Sequence, residues 1–159
     1  MSEPRLADIG LVATSDPFGW VIREGTESEI NHIVRKSHCD TLLEATTHGV
    51  VESPISKYER IGWLSIGDVS DEEREATDAY ARTFLGIRYS FVNIFVLALR
   101  RLHAKFLADS PALRWLATKE GLICSEYANL VDRHFGRALV DKPDYQVEPV
   151  DFARIKIYQ

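Results

Sequence analysis

Three side chains that can jointly open an acyl bond lie far apart in this chain: His32, Glu44 and Cys124. A thiol becomes a nucleophile when an imidazole takes its proton, and a carboxylate behind the imidazole holds its tautomer and steadies the imidazolium. His32 and Glu44 are twelve residues apart, an even separation that spans the polar turn Ser37-His38-Cys39. A hairpin centred on residue 38 makes them direct cross-strand partners on one face, with Cβ atoms roughly 4.5–5.5 Å apart. A one-residue slip in pairing would send them to opposite faces. The same spacing also describes an ordinary surface pair of an antiparallel sheet.

Cys124 follows Gly121-Leu122-Ile123 and falls in the first turn of a predicted helix. Helix N-termini aim unpaired N–H groups and partial positive charge at their first side chains, which lowers a thiol pKa and favours thiolate. Free cysteine is also among the most buried residue types, so Cys124 equally suits a packing role. Other candidates are weaker. His38, Cys39 and His48 match no common zinc spacing, so no metal or other cofactor is expected. Asp16, Asp68 and Asp71 read as turn and helix-start residues. Trp20, Trp63 and Trp115 read as core or groove walls.

Positioning these residues requires strands first and helices later. Short apolar runs over residues 8–13, 31–36, 42–46, 49–52 and 61–66 read as strands, separated by Ser15-Asp16-Pro17, Gly25, Ser53-Pro54 and Gly67-Asp68. Ser70 and Glu73 have capping-box spacing, which predicts a helix from Asp71 to about Phe84, ending at Gly86. Further helices are expected over residues 90–107, from Ser110-Pro111 through Trp115, and from about Ile123 to Phe135 before Gly136. Ile155 and Ile157 alternate with charged residues, so residues 152–158 read as a closing strand. The order argues an α+β fold, an antiparallel sheet packed by helices, and not a Rossmann or barrel alternation. No GxGxxG, Walker A, HExxH, GxSxG or paired CxxC motif occurs.

At 159 residues, 45% hydrophobic and 27% charged, the chain suits one globular domain over residues 1–159. A net charge of −5 disfavours a nucleic-acid partner. Two cysteines suit a reduced interior better than a disulfide-stapled secreted domain. The N-terminus has no apolar signal core, and the apolar run Phe91–Leu99 is too short to span a bilayer. A cytoplasmic protein without stable membrane insertion is the expectation.

Several segments in order resemble the circularly permuted papain-like hydrolases of the NlpC/P60 superfamily, the branch that includes lecithin:retinol acyltransferase-like proteins. They are Ala7-Asp8-Ile9-Gly10-Leu11, similar to a Gly-Asp-hydrophobic opening; Ser28-Glu29-Ile30-Asn31-His32-Ile33-Val34; Leu42-Leu43-Glu44-Ala45 and Gly49-Val50-Val51; Gly86-Ile87-Arg88-Tyr89-Ser90-Phe91, similar to a Gly-x-x-Tyr-Asp segment; and Ile123-Cys124-Ser125-Glu126-Tyr127, similar to a Cys-Ser-Glu nucleophile motif. Histidine, then a polar third member, then cysteine on a late helix is the permuted order. Ala7, Asn31 and Ser90 depart from the family's usual Gly, Ser and Asp. The resemblance implies a papain-like sheet or small barrel packed by helices, with Cys124 as nucleophile, His32 as base, Glu44 as orienting residue and Tyr89 as a site-wall residue. It implies a thiol hydrolase acting on an amide bond of a peptide or cell-wall peptide. A lipid acyltransferase or thioesterase on the same scaffold, and a non-catalytic binding module, are the alternatives. Oligomeric state is not legible.

Overall fold

The computed structural model describes residues 3–14, 29–90, 110–111 and 121–155. Of the helices expected over residues 90–107 and from Ser110-Pro111 through Trp115, all but Ser90, Ser110 and Pro111 lie outside them, as do Trp20 and the last residues of the expected closing strand. Among the described residues the chain is α+β: one five-stranded antiparallel sheet packed by three α-helices. The strands are β1 (Ile9–Val12), β2 (His32–Lys36), β3 (Thr41–Thr46), β4 (Gly49–Pro54) and β5 (Gly62–Leu64). Their order across the sheet is β4-β3-β2-β1-β5.

Period-2 alternation gives the sheet two differently used faces. Ile9, Leu11, Ile33, Leu43 and Ala45 point to the main core, which the helices cover. Val12, Val34 and Leu42 point the other way, where Ile55, Tyr58, Ile61 and Trp63 close a smaller cluster. Helix α1 (Asp71–Arg82) starts where the sequence places it. The Ser70 hydroxyl accepts from the Glu73 N–H and the Glu73 carboxylate accepts from the Ser70 N–H, a complete capping box. Helix α2 (Cys124–His134) buries Tyr127, Ala128 and Val131 against the sheet.

Buried Arg35 on β2 bolts α2 in place. Its Nη2 donates to the Ala128 carbonyl at 3.0 Å and to Asp132 Oδ2 at 2.8 Å, and its Nη1 donates to the Ala7 carbonyl at 2.7 Å. With Arg35 fixed to Ala128 and Asp132, the start of α2 runs back toward the start of β2. Ala7, whose carbonyl accepts from Arg35, has φ +69°, a left-handed conformation that ordinarily favours glycine.

Over its described part, residues 152–155, the expected closing strand is replaced by a helix. Residues Pro149–Ile155 are helix α3. Proline is well suited to a first helical turn because its fixed φ is helical and it has no N–H to leave unpaired. Asp151 Oδ2 accepts from the Glu148 N–H at 3.0 Å, closing the helix start. Phe152 is fully buried in the main core, and this burial overrides the alternation of Ile155 with its charged neighbours.

Candidate active site

The β2–β3 hairpin delivers the first two site residues. Its turn has the Thr41 N–H donating to the His38 carbonyl at 3.0 Å, with Cys39 and Asp40 both at positive φ. The loop is therefore centred on Cys39, not His38, and Val34 pairs with Glu44. The expected direct pairing of His32 with Glu44 is corrected to a diagonal one. Because the partner shifts by two residues, the side chains stay on one face, and His32 Nε2 lies 2.7 Å from Glu44 Oε2.

Helix α2 delivers Cys124 as its first residue, 2% exposed. The cap position is Ile123, which has no polar side chain to occupy the first N–H groups. The lead-in is tied down. The Leu122 N–H donates to the Arg88 carbonyl at 3.1 Å, the Ser90 N–H donates to the Leu122 carbonyl at 3.3 Å, and Tyr89 bridges Leu122 in parallel. Gly121 makes this approach possible, since at φ +137° an added Cβ would meet the Arg88 carbonyl oxygen at 1.9 Å. The adjoining Gly86 and Val50 N–H groups donate to the Val50 and Ile87 carbonyls, which joins the segment to β4.

Cys124 and His32 meet at this point. The two side chains are close enough to couple electrostatically, and Cys124 is among the groups that favour the charged ring. With Nε2 turned to Glu44, Nδ1 is the ring nitrogen left to serve the thiol. Burial works against the imidazolium, but Cys124 and then Glu44 outweigh it, and the His32 pKa is raised to about 9.

Glu44 is fully buried and well supplied with donors. Burial alone would raise its pKa, yet hydrogen bonds from His32, Lys57 and Ser53 with the charge of His32 lower it to about 2. Lys57 Nζ donates to Oε1 at 2.5 Å and the Tyr58 hydroxyl donates to Oε2 at 2.5 Å. The Tyr58 ring also lies against the His32 ring, with centroids 5.9 Å apart. Sequence reasoning missed Lys57, Tyr58 and Ser53, taking Ser53-Pro54 only as turn punctuation. The available signal was that the 3-10 turn Ile55–Lys57 after β4 brings the chain back over the face that Glu44 shares with Val34 and Leu42.

Tyr89 is partly buried against the main core at the Leu122 bridge. Asn31, beside the histidine, has its amide engaged by Thr14: Oδ1 accepts from the Thr14 N–H at 2.7 Å and Nδ2 donates to the Thr14 carbonyl at 2.8 Å. Cys39 is exposed in the hairpin turn. His38 lies 3.1 Å from Glu75 and 3.5 Å from Asp78. Among the described residues no cluster of three or more His, Cys, Asp or Glu side chains could hold a metal ion, and no helix is long and apolar enough to cross a membrane. No protein-family model, curated protein or solved structure matches the chain.

Proposed function

We propose that the protein is a papain-like cysteine hydrolase with a Cys124–His32–Glu44 triad, acting on an amide bond through an acyl-enzyme. The observation that carries this reading is one imidazole that is hydrogen-bonded to Glu44 and electrostatically coupled to Cys124, a residue of a distant part of the chain. Surface pairs between strands have no need of a thiol at a helix start.

In the mechanism the Cys124 sulfur attacks the acyl carbonyl and the carbonyl oxygen takes negative charge. The Cys124 backbone N–H at the helix start supports that oxyanion. As the intermediate collapses, the imidazolium gives its proton to the departing amine and a thioester forms. Neutral His32 then takes a proton from water, which attacks the thioester, and the acid leaves as the proton returns to the thiol. Glu44 keeps Nε2 protonated throughout, so that Nδ1 is the nitrogen that exchanges protons.

The test is acyl-enzyme trapping by intact and peptide mass spectrometry, using a panel of activated peptide amides, short-chain esters and long-chain acyl thioesters. Added acyl mass on Cys124, lost in Cys124→Ala and strongly reduced in His32→Ala, is the expected result. Preference for long acyl chains would move the substrate class to lipids. No acyl mass with any of the three classes would favour a binding module.

A further inference from the structure

Glu44 faces two cations from opposite sides. His32 takes Oε2 at 2.7 Å and Lys57 takes Oε1 at 2.5 Å. The carboxylate is 0% exposed, whereas the Lys57 side chain is 40% exposed. A lysine that kept its head in water would lose nothing by leaving the site, because exposed ion pairs contribute little to stability. A lysine committed to a buried carboxylate that already serves an imidazolium calls for another account. Orientation is already provided: the Tyr58 hydroxyl shares Oε2 with His32. What Lys57 adds is charge.

We propose that Lys57 is a positioning residue that acts through Glu44, offsetting the carboxylate's charge so that the His32 imidazolium remains acidic enough to protonate the leaving group. The proposal rests on the hydrolase reading above. In the step concerned, the bond between the acyl carbon and the leaving nitrogen breaks, the Nδ1–H proton passes to that nitrogen, and His32 is left neutral. A carboxylate at full strength beside Nε2 would hold the proton on the ring and slow this transfer. The ionisable groups facing His32 among the described residues are Cys124 from α2, Glu44 from β3 and Tyr58 from the turn after β4. Lys57 reaches the ring only through Glu44.

The sign of one measurement separates charge from scaffolding. The His32 ring is titrated by NMR in wild type, Lys57→Met and Lys57→Arg, with thermal melts confirming that each is folded. Loss of the lysine charge leaves Glu44 uncompensated, so Lys57→Met should raise the His32 midpoint by about half a unit or more. Lys57→Arg, which keeps the charge, should stay within about 0.3 unit of wild type, a small change on the same scale. A merely structural lysine would have the opposite effect: its loss would free Glu44 from the ring, and the midpoint would fall toward 6.5. An unchanged or lowered midpoint in Lys57→Met, or an equal rise in Lys57→Arg, overturns the proposal. Iodoacetamide labelling of Cys124 in wild type and His32→Ala is run in parallel. Labelling that ignores His32 overturns the hydrolase reading and this proposal together. Labelling that depends on His32, with an unmoved Lys57→Met midpoint, overturns the lysine's role alone.

Discussion

Of the basic side chains on strand β2, His32 and Arg35 lie three residues apart, and the two faces of the sheet use them differently. Each meets a carboxylate that is 0% exposed, Glu44 on one side and Asp132 on the other. Glu44 accepts from His32, Lys57 and Tyr58, and its pKa falls to about 2. Asp132 has Arg35 on Oδ2, while Oδ1 has no hydrogen-bond partner among the described residues. Burial dominates there and its pKa is raised in spite of Arg35. Burial depth is therefore not what makes a charge useful. Donor supply keeps Glu44 ionised beside a ring that is partly open to solvent. The Arg35–Asp132 pair lies wholly inside the fold and serves to align α2 with β2. On the proposed function, the Glu44 pair takes part in the chemistry and the Arg35 pair holds the geometry that the chemistry needs.

Substitutions can separate the two. The largest expected effect is at the proposed nucleophile. Cys124→Ala should abolish acyl-enzyme formation, a loss of at least ~10³-fold for a nucleophile, with little change in the melting temperature. On the other face, Arg35→Met strands the Asp132 carboxylate in the core and should cost about 3–5 kcal/mol in urea unfolding. The double variant Arg35→Met/Asp132→Leu should recover much of that loss. If Arg35→Met, while still folded, also changed the pH profile of Cys124 labelling, the two faces would not be separable.

Next in size is Glu44→Gln. The amide can still accept a hydrogen bond but loses the charge that stabilises the imidazolium, so Cys124 reactivity should drop by about 10- to 100-fold and not vanish. The His32 midpoint should fall from about 9 toward 6.5. A smaller effect concerns stability against pH. The folded pKa of Glu44, about 2, lies below its ordinary 4.5. Its contribution is therefore present above pH 4.5 and lost as pH falls through about 2. The melting-temperature advantage of wild type over Glu44→Gln should shrink across that window, and a constant difference would contradict the assignment.

The strands were legible because Ser53-Pro54, Gly67-Asp68 and the Ser37–Cys39 turn punctuate them, and α1 because Ser70 and Glu73 form its cap. The shared face of His32 and Glu44 survived an error in register, since the left-handed Cys39 and Asp40 shifted the partner by an even count. Residue type could not reveal that Arg35, flanked by Val34 and Lys36, points inward to an aspartate 97 residues away. Lys57 and Tyr58 were hidden because a 3-10 turn has no hydrophobic period to announce which face it covers. Alternation misled at Ile155, where the deep burial of Phe152 and the Pro149 start determine a helix.

Activation of Cys124 by His32 is the central claim of the proposed function, and the two thiols form an internal control, since Cys39 is exposed and Cys124 is buried. Iodoacetamide labelling from about pH 5 to about pH 9, below and around the ~8.5 of an ordinary thiol, is read by peptide mass spectrometry in wild type and His32→Ala. The expected result is Cys124 labelling that persists near pH 6 and falls in His32→Ala, with Cys39 labelling that rises only toward alkaline pH and ignores the substitution. The same pH profile for both cysteines, or Cys124 labelling untouched by the loss of His32, would contradict the account.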